Sequence, residues 1–208
     1  MRGLRERQKA ERDDRILTAA AELFRAGGYD GTKIEAIAQH AEVSQGTIYN
    51  YYENKGDLLV AIVAMEVNEV LAAGSRLLAN PPRQARLAVD KLFAIYLEHS
   101  LVYLSKEMWR HAMAISTQQP DSRFGRSYSE LDQHLSDQVC MLIGLLQSAG
   151  AIREDVDATA AGQVLFNTLN MMFIGFVKDE DMTLAELKRQ IGRQTRVFLI
   201  EIGAKKPE

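Results

Sequence analysis

Residues 32–55, TKIEAIAQHAEVSQGTIYNYYENK, constrain this chain more than any other stretch. Thr32 followed by Glu35 has the form of a capping box, in which a hydroxyl and a carboxylate each satisfy an open backbone amide. Ile34, Ile37, Ala38 and Ala41 then recur at helical spacing. A turn at Glu42-Val43 follows, and Ser44 is placed to cap a second short helix over Gln45–Tyr51. Ile48, with Val43 and Tyr52, gives that helix an inward face. Gln45, Gly46, Thr47, Tyr49 and Asn50 are left over. Two helices joined by so short a turn form a helix-turn-helix unit. The residues left over are those that such a unit offers to a DNA groove.

Helical spacing continues on both sides. Ile16, Leu17, Ala20, Leu23 and Phe24 predict a first helix over about Arg12–Ala26, ended by Gly27-Gly28. A fourth helix runs from Asn54 or Asp57 towards Leu78 and stops before Pro81-Pro82. At ~1.5 Å per residue it is long enough to act as a strut across a domain. Residues 83–119 contain neither glycine nor proline, so a break near His99–Val102 is expected, with helices over 83–99 and 102–116. TQQPDSRFG, residues 117–125, reads as a loop. A seventh helix follows over 127–148, ended by Gly150. Asp157 caps an eighth over 158–177. Thr183 and Glu186 form a second capping box for a ninth, which Gly203 ends before the tail AKKPE. No stretch shows the period of two that marks a strand. The pattern predicts an all-α chain of about nine helices. Residues 1–57 form the DNA-binding helix-turn-helix domain, and 58–208 a second helical domain.

Composition narrows the function. The 208 residues, 47% hydrophobic, suffice for one large core or two modest ones. The net charge is −3, and residues 1–57 carry nine Lys+Arg against ten Asp+Glu. DNA binding must then come from where charges are placed, not from their total. Arg2, Arg5, Arg7 and Lys9 form a basic N-terminal arm suited to phosphates or a narrow minor groove. Cys140 is the only cysteine and reads as a small core residue, with no intrachain disulfide possible. No unbroken apolar run reaches the ~18 residues that span a bilayer, and no signal-peptide core is present. A cytoplasmic protein with no membrane partner is expected. No nucleophile motif, phosphate loop or cluster of titratable residues points to an enzyme or a cofactor. Glu107 and His111 have a spacing that can hold a metal, but two ligands are too few, so none is expected.

From Arg12 to Leu59 the chain resembles the TetR family of transcriptional regulators. The likeness rests on Thr32, Ile37-Ala38, Ala41, Val43-Ser44, Gly46-Thr47-Ile48-Tyr49, Tyr52, Lys55 and Leu58-Leu59, and covers about a quarter of the chain. Three positions depart from the family pattern. Glu42 replaces a turn glycine, Tyr52 replaces phenylalanine, and Glu53 is acidic beside the expected phosphates. The resemblance implies a homodimer, joined through residues 158–202, that binds a double-stranded pseudo-palindromic operator. Most such proteins are repressors released by a small molecule held in the C-terminal domain. Carried over by position, Thr32, Ser44, Tyr49, Tyr51 and Lys55 would hold phosphates. Gln45, Thr47 and Asn50 would meet base edges, and Gly46 would allow close approach.

The effector end is read from the residues. An apolar cavity with a few polar fixtures is the usual ligand site. Tyr103, Trp109, Arg110, Met113, Tyr128, Phe166, Asn167, Asn170 and Phe173, on the fifth to eighth helices, are the candidate lining for an effector of unknown identity. An architectural DNA-binding protein without a ligand, or an activator of transcription, would share the features above.

Overall fold

A computed structural model describes residues 3–204. Arg2 of the basic arm and residues 205–208 of the tail lie outside the described residues. The described residues form nine helices: α1 (Leu4–Gly27), α2 (Ile34–His40), α3 (Gln45–Tyr49), α4 (Lys55–Leu78), α5 (Ala85–His99), α6 (Lys106–Gln118), α7 (Arg123–Ser148), α8 (Ala158–Lys178) and α9 (Leu184–Ile202). No strand occurs among them. One antiparallel bridge, Ile152 to Gly203, fastens the end of α9 to the segment before α8.

Local chemistry sets most of these limits. Ser44, Asp157 and Thr183 each accept a backbone N–H three residues on, as N-caps do. Gly28 and Gly150 follow α1 and α7 with φ of +76° and +72°.

Several boundaries differ from expectation, and α3 ends at Tyr49 where Tyr51 was expected. α1 begins at Leu4, because Gly3 caps it and the Glu6 carboxylate accepts the Gly3 N–H at 3.3 Å. Its first turns are polar and leave no apolar stripe to read. α2 begins at Ile34, with Lys33 in the capping position and no side-chain cap. The expected Thr32 capping box does not form. Thr32 instead donates its hydroxyl to the Gly28 carbonyl at 2.7 Å and the Leu23 carbonyl at 3.1 Å, closing the end of α1. α6 begins at Lys106, after the Ser105 cap. α7 begins at Arg123, where Ser122 Oγ accepts the Gly125 N–H at 3.0 Å, so the loop shrinks to residues 119–122.

The chain divides into two compact units, Met1–Met65 with Val102–Ser129 and Glu66–Leu101 with Glu130–Glu208. α4 and α7 each contribute residues to both. This division differs from a boundary after residue 57, and it groups α6 with the first three helices.

In the first unit Ile16, Phe24, Ile37, Ile48, Leu58, Leu59 and Ile62 are fully buried. In the second, Leu92, Val139, Leu142, Ile143, Val177 and Leu187 are. Each such side chain contributes roughly 1.5–3 kcal/mol of transfer free energy. Within the second unit a Cβ at Gly162 would lie 2.5 Å from Cys140 Cα, so α7 and α8 touch nearly backbone to backbone there. Cys140 is half-buried at that crossing, and burial raises its thiol above the ordinary value.

By length and apolar content α4 and α8 would each suffice to cross a bilayer. Counting unbroken apolar runs missed this, because carboxylates such as Glu66 and Glu69 interrupt α4 without making it polar. Leu58, Leu59 and Ile62 of α4 and Leu165, Leu169 and Phe176 of α8 are buried in the two units, while Val164 and Met171 of α8 are exposed.

Candidate nucleic-acid interface

α3 is fixed by one side chain and open on the other face. Ile48 is fully buried, while Gln45, Gly46, Tyr49 and Asn50 are exposed, Tyr49 to 51%. Ser44 caps the helix through the Thr47 N–H at 3.1 Å, and the two hydroxyls lie 2.8 Å apart.

The turn before α3 is left-handed. Glu42 has φ of +54°, the only positive φ at a described residue other than glycine. Val43 N–H bonds the Ala38 carbonyl at 2.9 Å and Glu42 N–H the Gln39 carbonyl at 3.2 Å. This satisfies the open carbonyls of α2. A β-carbon in that conformation costs about 1–2 kcal/mol.

Two residues expected at phosphates are engaged within the chain. The buried Thr32 hydroxyl serves the end of α1, as above. Lys55 Nζ donates to the carbonyls of Tyr29 at 2.6 Å, Asp30 at 3.1 Å and Thr32 at 3.4 Å. It also lies 4.5 Å from the centre of the Tyr29 ring. The same loop is held from α6, where Glu107 Oε1 accepts the Tyr29 N–H at 3.2 Å and the rings of His111 and Tyr29 lie 4.6 Å apart. Glu107 and His111, considered as a metal pair, are thus loop supports. No group of three or more metal-ligating side chains stands together among the described residues.

Tyr51 leans on α1. Its hydroxyl is 3.5 Å from the Lys9 carbonyl, and the Lys9 ammonium lies 5.6 Å from its ring centre. The Tyr52 hydroxyl, the departure from the family pattern, donates to Asp13 Oδ1 at 2.5 Å. Burial, then that bond, hold the phenol well above its ordinary pKa.

Arg5, Arg7 and Lys9 are exposed on the first turns of α1, so the basic arm is helical over the described residues. Sequence reasoning passed over Lys33, an exposed cation directly before α2. Its place beside a helix N-terminus was the signal available.

The nine residues expected at the effector are shared between the units. Tyr103, Trp109, Arg110, Met113 and Tyr128 belong to the first, and Phe166, Asn167, Asn170 and Phe173 to the second. Trp109, Phe166 and Phe173 are buried. Asn167 is exposed, off the core face of α8. Asn170 donates to Asp132 Oδ2 at 3.2 Å. Burial raises the Asp132 carboxyl above the usual carboxylate range, and the Asn170 bond partly opposes it.

The second unit also holds polar pairs that were not anticipated. The Tyr96 hydroxyl donates to Gln138 Oε1 at 2.8 Å, and Gln138 Nε2 to the Leu71 carbonyl at 2.9 Å. Glu66, buried to 1% exposure, lies 2.7 Å from His99 Nδ1, and Glu69 lies 3.1 Å from His99 Nε2. The available signal was Glu66 between Ile62 and Val70 on the apolar stripe of α4.

With this geometry in hand, residues 16–62 match the family of bacterial regulatory proteins, tetR family. Over 193 residues the chain is 25% identical to the fatty acid metabolism regulator protein of Bacillus subtilis (strain 168), covering 89% of this chain and 94% of that protein. It is 39% identical over 72 residues to the HTH-type transcriptional repressor KstR of Rhodococcus jostii (strain RHA1), which is 35% of this chain and 32% of KstR. In fold it is similar to Thermus thermophilus FadR, a TetR-family transcriptional repressor solved in complex with lauroyl-CoA. The TM-score is 0.68 and the identity 23%, over 94% of this chain and 98% of that one.

Proposed function

We propose that this chain, whose residues 16–62 match the TetR family of bacterial regulatory proteins, is a transcriptional repressor that binds a pseudo-palindromic operator as a homodimer and is released by a small molecule. One observation carries the DNA reading: α3 buries Ile48 alone and leaves Gln45, Gly46, Tyr49 and Asn50 exposed. Gln45, Thr47 and Asn50 are assigned to base edges, where a bidentate contact is worth about 1–3 kcal/mol. Gly46 admits the backbone closely. Ser44, Tyr49 and Tyr51 are assigned to phosphates. Thr32 and Lys55, engaged within the chain, are assigned the holding of the loop that seats α2 and α3.

The homodimer reading rests on apolar side chains left open on α8 and α9. Met171 is 68% exposed, Val197 67% and Ile200 64%. Joining two copies there would cover them in a four-helix contact. The two reading helices of a dimer must lie ~34–36 Å apart to enter successive major grooves. An effector that favours another separation removes the DNA-competent population. Acyl thioesters of coenzyme A are the class proposed, from the relatives named above, with Phe166, Asn170 and Phe173 as candidate contacts. The work of such a repressor is in the cytoplasm, on double-stranded DNA, with no chemistry of its own.

Selection of bound sequences from a random DNA library by the full chain tests this. An enriched inverted repeat is expected, and Gln45→Ala should relax preference at one position of each half. Lauroyl-CoA should release the selected DNA. Ile200→Glu should halve the mass measured by light scattering. Selection that enriches no sequence would refute the operator reading, and an unchanged mass the α8–α9 dimer.

A further inference from the structure

The second unit carries a cleft that neither the DNA reading nor the effector reading uses. It lies between α5 and α9 and encloses about 340 Å³, within the ~300–1,000 Å³ range of small-molecule sites. Its floor is apolar, with Phe93, Leu97 and Ile191 buried beneath it. Gly192, also in the lining, adds no side chain.

The rim has the opposite character. Arg86, Lys188, Arg189, Arg193 and Arg196 line it, and Asp90 is the one carboxylate among the lining residues. A chain with a net charge of −3 has gathered five cations around one opening. Three of the five have carboxylate partners. Arg86 Nε lies 3.5 Å from Asp90, Lys188 Nζ lies 2.5 Å from Glu98, and Arg189 pairs with Glu186. Arg193 and Arg196 are exposed, and neither is within ion-pair distance of a carboxylate among the described residues, although the charge of Arg193 is felt at Glu186. They stand three apart on α9, so both forks reach one side of the helix.

Guanidinium groups take oxyanions through two parallel N–H bonds. A phosphate monoester has the charge and the oxygens to occupy two such forks. A bare anion would make no use of the apolar lining between the cations. We propose that the α5–α9 cleft binds a phosphate monoester carrying an apolar chain, its phosphate on Arg193 and Arg196 and its chain over Phe93, Leu97 and Ile191. The site is separate from the proposed effector contacts; Arg193 and Arg196 each stand one turn before a residue of the proposed dimer contact, Val197 and Ile200, so the cleft has to stay open beside that contact.

Calorimetric titration of the full chain with hexyl phosphate tests this, against inorganic phosphate and 1-hexanol. Saturable binding of one hexyl phosphate per chain is expected, with inorganic phosphate weaker on the order of tenfold and hexanol silent. Replacing Arg193 and Arg196 together by glutamine should weaken binding by a similar factor. Arg76→Gln, an exposed cation on α4, should change nothing. Gly192→Leu separates loss of the site from loss of the fold. A Cβ there meets nothing within 4 Å, and leucine improves helix propensity. It should fill the cleft and abolish binding without lowering the melting temperature. Equal affinity for inorganic phosphate, or full binding by the Gly192→Leu variant, overturns the proposal.

Discussion

The ammonium of Lys55 lies 2.6 Å from the carbonyl oxygen of Tyr29 and 4.5 Å from the centre of the same residue's ring. One cation thereby holds a loop that would otherwise present bare carbonyls at the base of the reading unit. Hydrogen bonds to a charged donor contribute about 1.5–3 kcal/mol. Lys55→Met is expected to lower stability by about that amount in denaturant titration. The salt dependence of DNA binding should stay nearly unchanged. A slope reduced by about one would return Lys55 to the phosphates.

Tyr52 is tied to Asp13 by a bond of 2.5 Å. Tyr52→Phe removes the donor and is expected to cost about 1 kcal/mol. The effect has a pH signature. The Tyr52, Tyr29 and Tyr96 phenols are all held above the ordinary value of 10.0, chiefly by burial. Above that pH the unfolded chain releases these protons while the folded chain keeps them. Stability is therefore full below about pH 10 and falls as pH rises further. Thermal melts on the alkaline side should show a shallower fall for Tyr52→Phe than for the parent.

Asp132 gives a test of the same sign in the acid range. Burial raises its carboxyl above 3.8, the ordinary value. The unfolded chain loses this proton first, so stability declines as pH rises from that value through the folded one. Asp132→Asn cannot ionise and keeps a partner for Asn170. It should melt at a higher temperature than the parent at neutral pH, and the gap should close as pH falls towards 4. A gap that persists in acid would place the gain elsewhere.

Glu42→Gly removes a β-carbon from a residue at φ +54°. Relief of the left-handed conformation, less the added freedom of glycine in the unfolded chain, should stabilise by up to about 1 kcal/mol. Chemical denaturation would measure it. A loss of stability would mean that the Glu42 side chain makes a contribution larger than the strain.

The legible parts of the chain were those decided within a few residues. Ser44, Asp157, Thr183, Gly28 and Gly150 mark helix ends by local chemistry, and each end lies where its residue stands. Glu42 could be read as strained from the family pattern alone. Partners distant in sequence were not legible. Thr32 looked like a helix cap because Glu35 follows it, but the Leu23 carbonyl, nine residues back, takes its hydroxyl. Lys55 looked like a phosphate ligand, but the carbonyls it meets lie 23 to 26 residues away. The first turns of α1 hid for another reason, since a helix exposed all round leaves no apolar period.

The attachment of α6 to the Tyr29 loop bears on how this protein can be taken apart. A chimera that transplants residues 1–57 onto another regulator leaves behind Glu107, which accepts the Tyr29 N–H, and His111, whose ring packs tilted against that of Tyr29. It also leaves the Val102 carbonyl that Arg25 bonds at 2.5 Å. The portable module is therefore not a continuous segment: residues 102–118 have to travel with the head, or the recipient has to supply their equivalents.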